Sequence, residues 1–362
     1  MSPNALSQAR SMGLTVDSTL PRILVLGLGD LGEKVTERLI ESGPNRARCV
    51  SISDERLQLG TILAHRALFA RTAKESFETS KQFETGGDNM LLSLPEISPS
   101  IIDNDLVFIA TALGREKGLA ASPALAQTAR ATGALVIGAV TMPRWREGSR
   151  LYSAVRTLKE MKDACDALVV VDNNRLGWLP TSSHQGNINS LAGDLLSQLI
   201  GGIVETLSEP SLININFKEF ARIFRSSGFA ILGMGEANSP NRPEEAVRNA
   251  FNCPLLHIDH DGFAGAYLHI RGDNSLTKAQ ASKVAELVSG RLDLLPDVIF
   301  GASTDYSFSE RLRVTLMLTG VRSPQLLSAY REIPIQMHQM EEEHEPEQQV
   351  DIELDLYQLE ES

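Results

Sequence analysis

Three glycines are the first residues in the chain whose spacing suggests chemistry. Gly27, Gly29 and Gly32 form G-x-G-x-x-G directly after the apolar run at residues 22–27 (RILVLG). Glycines so placed let backbone N–H groups and a helix N-terminus come close to a phosphate. Asp54 stands at the end of the second apolar run, where a dinucleotide fold places its ribose-binding carboxylate. On these residues alone the loop is either the cofactor loop of an NAD(P)-dependent oxidoreductase or a plain tight strand–helix turn. Two other groupings carry less. His257, Asp259, His260 and Asp261 are ligand-type residues, but no further ligands accompany them and no metal is expected. Ser182, His184 and Asp194 have the types of a hydrolase triad, yet no strained nucleophile elbow surrounds Ser182.

The elements that must hold these residues follow from hydrophobic pattern. Residues 22–27, 49–53, 105–110, 134–140 and 167–171 are short apolar runs rich in β-branched side chains, separated by helix-like stretches such as 30–42. Strands alternating with helices imply a parallel sheet covered on both faces. Residues 187–207 read as one long helix, closed by Ser208-Glu209-Pro210. Beyond it, strands at 229–233, 265–270, 297–302 and 311–318 and helices at 243–251 and 278–289 form a second α/β unit. The expected fold is therefore α/β, with a Rossmann-type nucleotide domain joined by a long central helix to a smaller α/β domain. The expected segments are an arm (1–20), a nucleotide-binding-type domain (21–186), the central helix (187–210), a C-terminal α/β domain (211–322) and an acidic tail (323–362).

Composition narrows the function classes. With 42% hydrophobic and 22% charged residues, the chain has the profile of a soluble globular protein. No apolar run reaches the roughly 18 residues a membrane helix needs, and residues 1–20 carry no apolar signal core. Three cysteines are too few and too scattered for a disulfide framework, so a reducing cytoplasm is expected. The net charge of −12 is concentrated: ten acidic residues and no Lys or Arg lie within 341–362, leaving 36 acidic against 34 basic residues elsewhere. No basic face for nucleic acid is expected, and the tail would be repelled by anionic lipid. Val350, Ile352, Leu354 and Leu356 alternate with Asp351, Glu353 and Asp355, the period of a strand with one apolar face. Residues 350–359 are expected to add to an adaptor protein's sheet edge or groove, with no direct membrane insertion.

Three later stretches resemble the FtsZ family. Residues 108–123 (FIATALGREKGLAASP) are similar, without gaps, to the FtsZ segment around the GGGTGTG signature. Residues 134–148 (ALVIGAVTMPRWREG) resemble the strand and sugar-binding loop that follow it, and residues 212–219 (LININFKE) resemble the catalytic loop LINxDFxD. Shorter matches at 228–235, Asn241-Arg242, 254–256, Asp261-Gly262 and 299–302 fall in family order, so the resemblance covers roughly residues 21–322. It implies GTP or GDP as cofactor and subunits that stack head to tail, with this chain or an FtsZ paralogue as partner. It also implies that the catalytic loop of one subunit enters the nucleotide pocket of the next.

Departures from the family pattern bear on activity. In the signature loop only Gly114 and Gly118 survive, with Arg115, Glu116 and Lys117 between them. A side chain at a left-handed position costs roughly 1–2 kcal/mol, and Cβ atoms fill phosphate space. Arg115 and Lys117 still offer positive charge to an anion; the alternative is a decayed loop kept as a helix-starting turn. Asp30 replaces a glycine of the first loop. Glu147 matches the family's sugar-contacting acid, while Arg150 is one residue early for its basic partner. Asn173 and Arg175 match the PNDR stretch; Asp172 and Asn174 do not. Asp194 matches the carboxylate that reads the guanine edge, or is a solvated helix carboxylate. Asn216 and Glu219 stand where the catalytic loop has two aspartates. The resemblance thus implies a filament protein of cell division or membrane remodelling with weak or absent GTPase. A working but slow GTPase is the alternative, and the NAD(P) oxidoreductase is the alternative of another class.

Overall fold

The computed structural model describes residues 20–42, 46–53, 66–69, 71–72, 90–91, 94–114, 121–178, 188–256, 263–292 and 297–321. Residues 1–19 of the expected arm, Asp54, the loop residues Arg115, Lys117 and Gly118, the groupings at Ser182, His184 and 257–261, and the acidic tail lie outside the described residues. The strands are β1 (Ile23–Leu28), β2 (Arg48–Ser53), β3 (Arg66–Phe69), β4 (Arg71–Thr72), β5 (Met90–Leu91), β6 (Leu106–Ala112), β7 (Leu135–Met142) and β8 (Ala167–Asp172). Four more follow: β9 (Gly228–Ala237), β10 (Gly265–Gly272), β11 (Asp297–Thr304) and β12 (Leu312–Thr319). The helices are α1 (Gly29–Glu41), α2 (Leu94–Ile101), α3 (Ala121–Ala131), α4 (Gly148–Ala164), α5 (Asn173–Leu176), α6 (Ile188–Ser208), α7 (Phe217–Phe224), α8 (Arg242–Phe251) and α9 (Lys278–Arg291).

Ten strands form one sheet in the order β11-β10-β12-β9-β8-β7-β6-β1-β2-β3. From β3 to β9 every pairing is parallel. The strands β1, β7 and β8 are buried along their whole length, as a sheet covered on both faces requires. The two α/β units expected from sequence share this sheet. They join where Ala167, Leu168 and Val169 of β8 pair with Gly228, Phe229 and Ala230 of β9. Past β9 the order turns antiparallel through β12, with β10 and β11 parallel at the edge. Among the described residues no helix is long and apolar enough to cross a membrane.

Helix α6 has 21 residues and an apolar stripe on more than one side, so it is buried between neighbours rather than lying on a surface. On one side it meets α1: a Cβ on Gly193 would lie 2.8 Å from Cγ of Lys34. On another it meets β10, where a Cβ on Gly202 would lie 2.3 Å from Nδ1 of His269. Beneath the C-terminal strands α7 seats Phe220 and Phe224, stacked at 4.3 Å between ring centroids, with Tyr267 edge-on to Phe220 at 5.6 Å.

A buried polar network ties α6 to the sheet. Nε2 of His269 is 3.0 Å from Oγ of Ser303, which donates to Oε2 of Glu205 at 2.8 Å. Arg271 bridges Glu205 at 3.3 Å and Asp305 at 2.8 Å, and Arg313 pairs with Glu236 and donates to Gln198 at 2.7 Å. Burial, with Arg271 and Arg313 adding to it, holds the His269 pKa down to about 3. Its 3.8 Å approach to Glu205 is therefore a contact of a neutral ring, not an ion pair. In the unfolded chain an ordinary His titrates near 6.5. Between those two values the unfolded state binds the extra proton, so stability falls as pH drops through the unfolded value. At pH 5.5 the loss from this residue is expected to be about 1.2 kcal/mol relative to neutral pH. Urea midpoints of wild type and His269→Gln between pH 5.5 and 7.5 measure it. Equal pH slopes in the two proteins would rule this account out.

Candidate functional site

Of the residues singled out from sequence, Gly27, Gly29, Gly32, Gly114, Glu147 and Asn173 gather where β1, β6, β7 and β8 end. Gly27 and Gly32 touch across the β1–α1 turn. A Cβ on Gly27 would lie 2.2 Å from the carbonyl oxygen of Gly32, and one on Gly32 would lie 2.3 Å from the carbonyl carbon of Gly27. Gly29 has a φ of 62°, in the left-handed region. The three glycines thus set how closely α1 approaches β1, and this turn points the N-terminus of α1 outward with exposed Asp30 in its first turn. Gly114 ends the β6 segment at a φ of 85°, and a Cβ there would meet the carbonyl oxygen of Arg150 at 2.5 Å.

Beside them, the loop after β7 is held by its own acid. Glu147 accepts from the backbone N–H of Arg144 at 2.9 Å and pairs with Arg150 at 3.3 Å. Arg150, one residue early for the family pattern, therefore reaches Glu147 as an i,i+3 partner. After β8, Asp172 caps α5, accepting from the Asn174 backbone N–H at 2.8 Å and from its side-chain amide at 2.7 Å. The Asn174 side-chain oxygen accepts from the Trp145 N–H at 3.2 Å, which ties the two loops together. Asp172 and Asn174, set aside as mismatches, build this corner; the preference of Asp for N-caps was the signal that identifies it. Arg175 donates to the carbonyl of Pro254 at 3.3 Å. The side-chain oxygen of Asn173 is buried and has no hydrogen-bond partner among the described residues.

Asp194 lies on α6 and is largely buried. Its Oδ1 accepts from Nε of Arg38 on α1 at 2.8 Å. With 15% of its side chain exposed, Asp194 is not a fully solvated helix carboxylate, and the Arg38 pKa is raised by it and by Glu41. No local spacing marks Arg38 as its partner, since 156 positions separate the two.

Asn216 and Glu219 are elsewhere. Asn216 is the N-cap of α7, its side-chain oxygen accepting from the Lys218 N–H at 2.8 Å, and Glu219 is exposed in the first turn. The neighbouring Phe217 lines a cleft of about 260 Å³ with Arg22, Ile102, Asp103, Asn104, Asp105, Thr132, Gly133 and Arg225. Several of these precede β1, β6 and β7, whereas Gly29, Gly114 and Glu147 follow those strands. Six to eight residues of strand at about 3.3 Å each separate the two ends by roughly 20–25 Å. The chain brings the glycine turn, Gly114, Glu147 and Asn173 to one end and puts Asn216 and Glu219 at the other.

Fold and site together define a nucleotide-domain protein: an open parallel sheet, a glycine turn at its carboxyl ends and a long helix linking it to a second α/β layer. Residues 22–178 match the Tubulin/FtsZ family, GTPase domain, and residues 228–322 the FtsZ family, C-terminal domain. "Cell division protein FtsZ 2" of Methanocaldococcus jannaschii is 31% identical over 310 residues, covering 84% of this chain and 82% of the relative. FtsZ 1 of the same organism is 32% identical, with 85% of each covered. A solved M. jannaschii FtsZ dimer superposes with a TM-score of 0.76 at 31% identity, over 89% of this chain and 93% of its own. The CetZ2 structure from Haloferax volcanii shares the fold, with a TM-score of 0.67 at 18% identity. The chain belongs to the FtsZ family. Because the match includes the G-x-G-x-x-G turn, that turn goes with this family and not with a dehydrogenase.

Proposed function

We propose that this protein is a filament-forming cell division protein that stacks head to tail, binds GTP or GDP weakly and hydrolyses GTP slowly or not at all. The observation that carries the assembly reading is the separation of the two half-sites at opposite ends of the same strands. A residue of the Asn216 loop can reach a glycine turn only if that turn belongs to another subunit. Contacts of this kind, which do not close, generate filaments. A relative of known structure is an FtsZ dimer, which is consistent with self-association.

The residues present fit a nucleotide in part. The buried, unpartnered oxygen of Asn173 is an acceptor suited to a ribose hydroxyl. Glu147 and Asp194, in contrast, already hold Arg150 and Arg38. A nucleotide must compete with those pairs, which favours weak binding. The Asn173 oxygen is what favours the second reading, a slow but working GTPase. Sedimentation and electron microscopy with GTP or GDP test the proposal. Short or long filaments of the purified protein, or co-pelleting with an FtsZ that carries both catalytic aspartates, are expected. Strict monomers in both settings would sink it.

A further inference from the structure

The chain has two tryptophans, Trp145 and Trp178, and both are exposed, at 59% and 69%. Tyr152, in the first turns of α4, is 54% exposed. Large aromatic rings usually account for much of a protein's buried area, so several left in water on one end mark a surface awaiting a partner. These lie together in the fold. Trp145 follows β7 in the loop tied by its N–H to Asn174, and Trp178 follows α5, its N–H donating to the Arg175 carbonyl at 3.0 Å. Both therefore crown the strand ends that carry Gly114, Glu147 and Asn173. Arg144, Arg146 and Arg150 are exposed around them.

The opposite end of the molecule has matching chemistry. Its cleft, about 260 Å³, is lined by Phe217 and by Ile102, which is 52% exposed, among mostly polar residues. Arg225 on its rim is exposed and has no ion pair among the described residues, and Asp103 is exposed beside it. An indole arriving there would meet Ile102 and Phe217 with its edge and the Arg225 guanidinium with its face. Asp103 offers a counter-charge to the arginines around the indoles.

We infer that Trp145 and Trp178 are the aromatic anchors by which one copy of this chain seats on the cleft of the next, built by Ile102, Phe217 and Arg225. The inference rests on the head-to-tail reading and adds to it the residues that hold the joint. Neither tryptophan need touch nucleotide. They act as the desolvated centre that a heterologous interface requires, and they sit at the rim where the Asn216 loop of the neighbour would arrive.

Because the chain has no other tryptophan, its own fluorescence reports the joint. The full-length protein is titrated across its assembly range while emission and sedimentation are read in parallel. Emission is expected to shift to the blue in step with the pelleted fraction. Trp145→Ala and Trp178→Ala, and Arg225→Glu on the other side, are each expected to raise the critical concentration about tenfold or more. All three residues are exposed, and unchanged thermal melts of the variants confirm that they fold. Trp178→Phe leaves Trp145 as a single reporter, whose shift should vanish when Arg225→Glu is added. If filaments form while the emission stays that of exposed indole, the anchors are wrong although head-to-tail assembly stands. If no assembly occurs at any concentration, both fall together. A blue shift that appears with anionic vesicles at concentrations where no protein pellets would assign the patch to lipid and overturn the inference.

Discussion

GTP turnover at assembling concentrations is expected to run at least about 100-fold below that of an FtsZ with both catalytic aspartates, and Asn216→Asp alone is not expected to restore it. Asn216 can orient a water but cannot ionise, and loss of one general base typically costs about 10²–10⁴-fold. Its side-chain oxygen is also engaged as the cap of α7, through the Lys218 N–H at 2.8 Å. Aspartate caps a helix as well as asparagine does, so the substitution returns a carboxylate without disturbing α7. Glu219 keeps a charge but reaches one methylene farther, and a displacement of about 1 Å in such a site can cost roughly 100-fold. On the receiving side the loop after Gly114 carries Arg115 and Glu116 where the GGGTGTG signature has glycines, and Lys117 where it has threonine. These losses do not multiply, because the groups act as a unit. Repairing one member of that unit therefore recovers little. A phosphate-release assay at pelleting concentrations decides the matter. Wild-type turnover near that of ordinary FtsZ, abolished by Glu219→Ala, would establish Glu219 as a working base and the protein as an active GTPase.

Phe220→Ala is expected to cost about 3–5 kcal/mol of stability, the range for emptying an aromatic site in a core. Phe220 is fully buried. Its ring stacks on Phe224 and meets the edge of Tyr267, whose hydroxyl lies 3.3 Å from Oγ1 of Thr206 on α6. The site has little freedom to collapse, since α7 is also tied to β12 through the Thr319 hydroxyl on the Ile223 carbonyl at 3.1 Å. Phe217, half-buried at the start of the same helix, should cost less than half as much. Urea denaturation gives both values. A loss below about 1 kcal/mol for Phe220→Ala would show that the aromatic cluster does not hold α7 against the sheet. Because α7 presents Asn216 and Glu219, the Phe220 variant should also raise the concentration needed for assembly.

Most strands of the sheet were legible in the sequence to within a residue or two, although β9 (Gly228–Ala237) runs four residues past the expected 229–233. Residues 105–110 and 134–140 became Leu106–Ala112 and Leu135–Met142, and the expected 187–207 helix is Ile188–Ser208. Buried parallel strands are continuous apolar runs, and a long buried helix keeps its period, so local pattern suffices for both. Shorter pieces escaped. Leu94–Ile101 has Pro99 inside it, and Arg66–Phe69 is too short to show a period. Phe217–Phe224 is two turns long, and the 3-and-4 spacing of Phe217, Phe220 and Phe224 is too short a pattern to mark a helix by period. The candidate site residues were proposed from glycine spacing and ordered family motifs, which are properties of the chain. What the sequence could not decide is which of those residues meet. The engagement of Asp194 by Arg38, the joining of two expected units into one sheet at β8–β9, and the placing of Asn216 at the end remote from Gly29 all depend on contacts between distant segments. Hydrophobic period specifies which face of an element turns inward. Which neighbour covers that face is chosen only when the whole sheet is assembled, because side-chain fit and strand order are collective properties of the packed core.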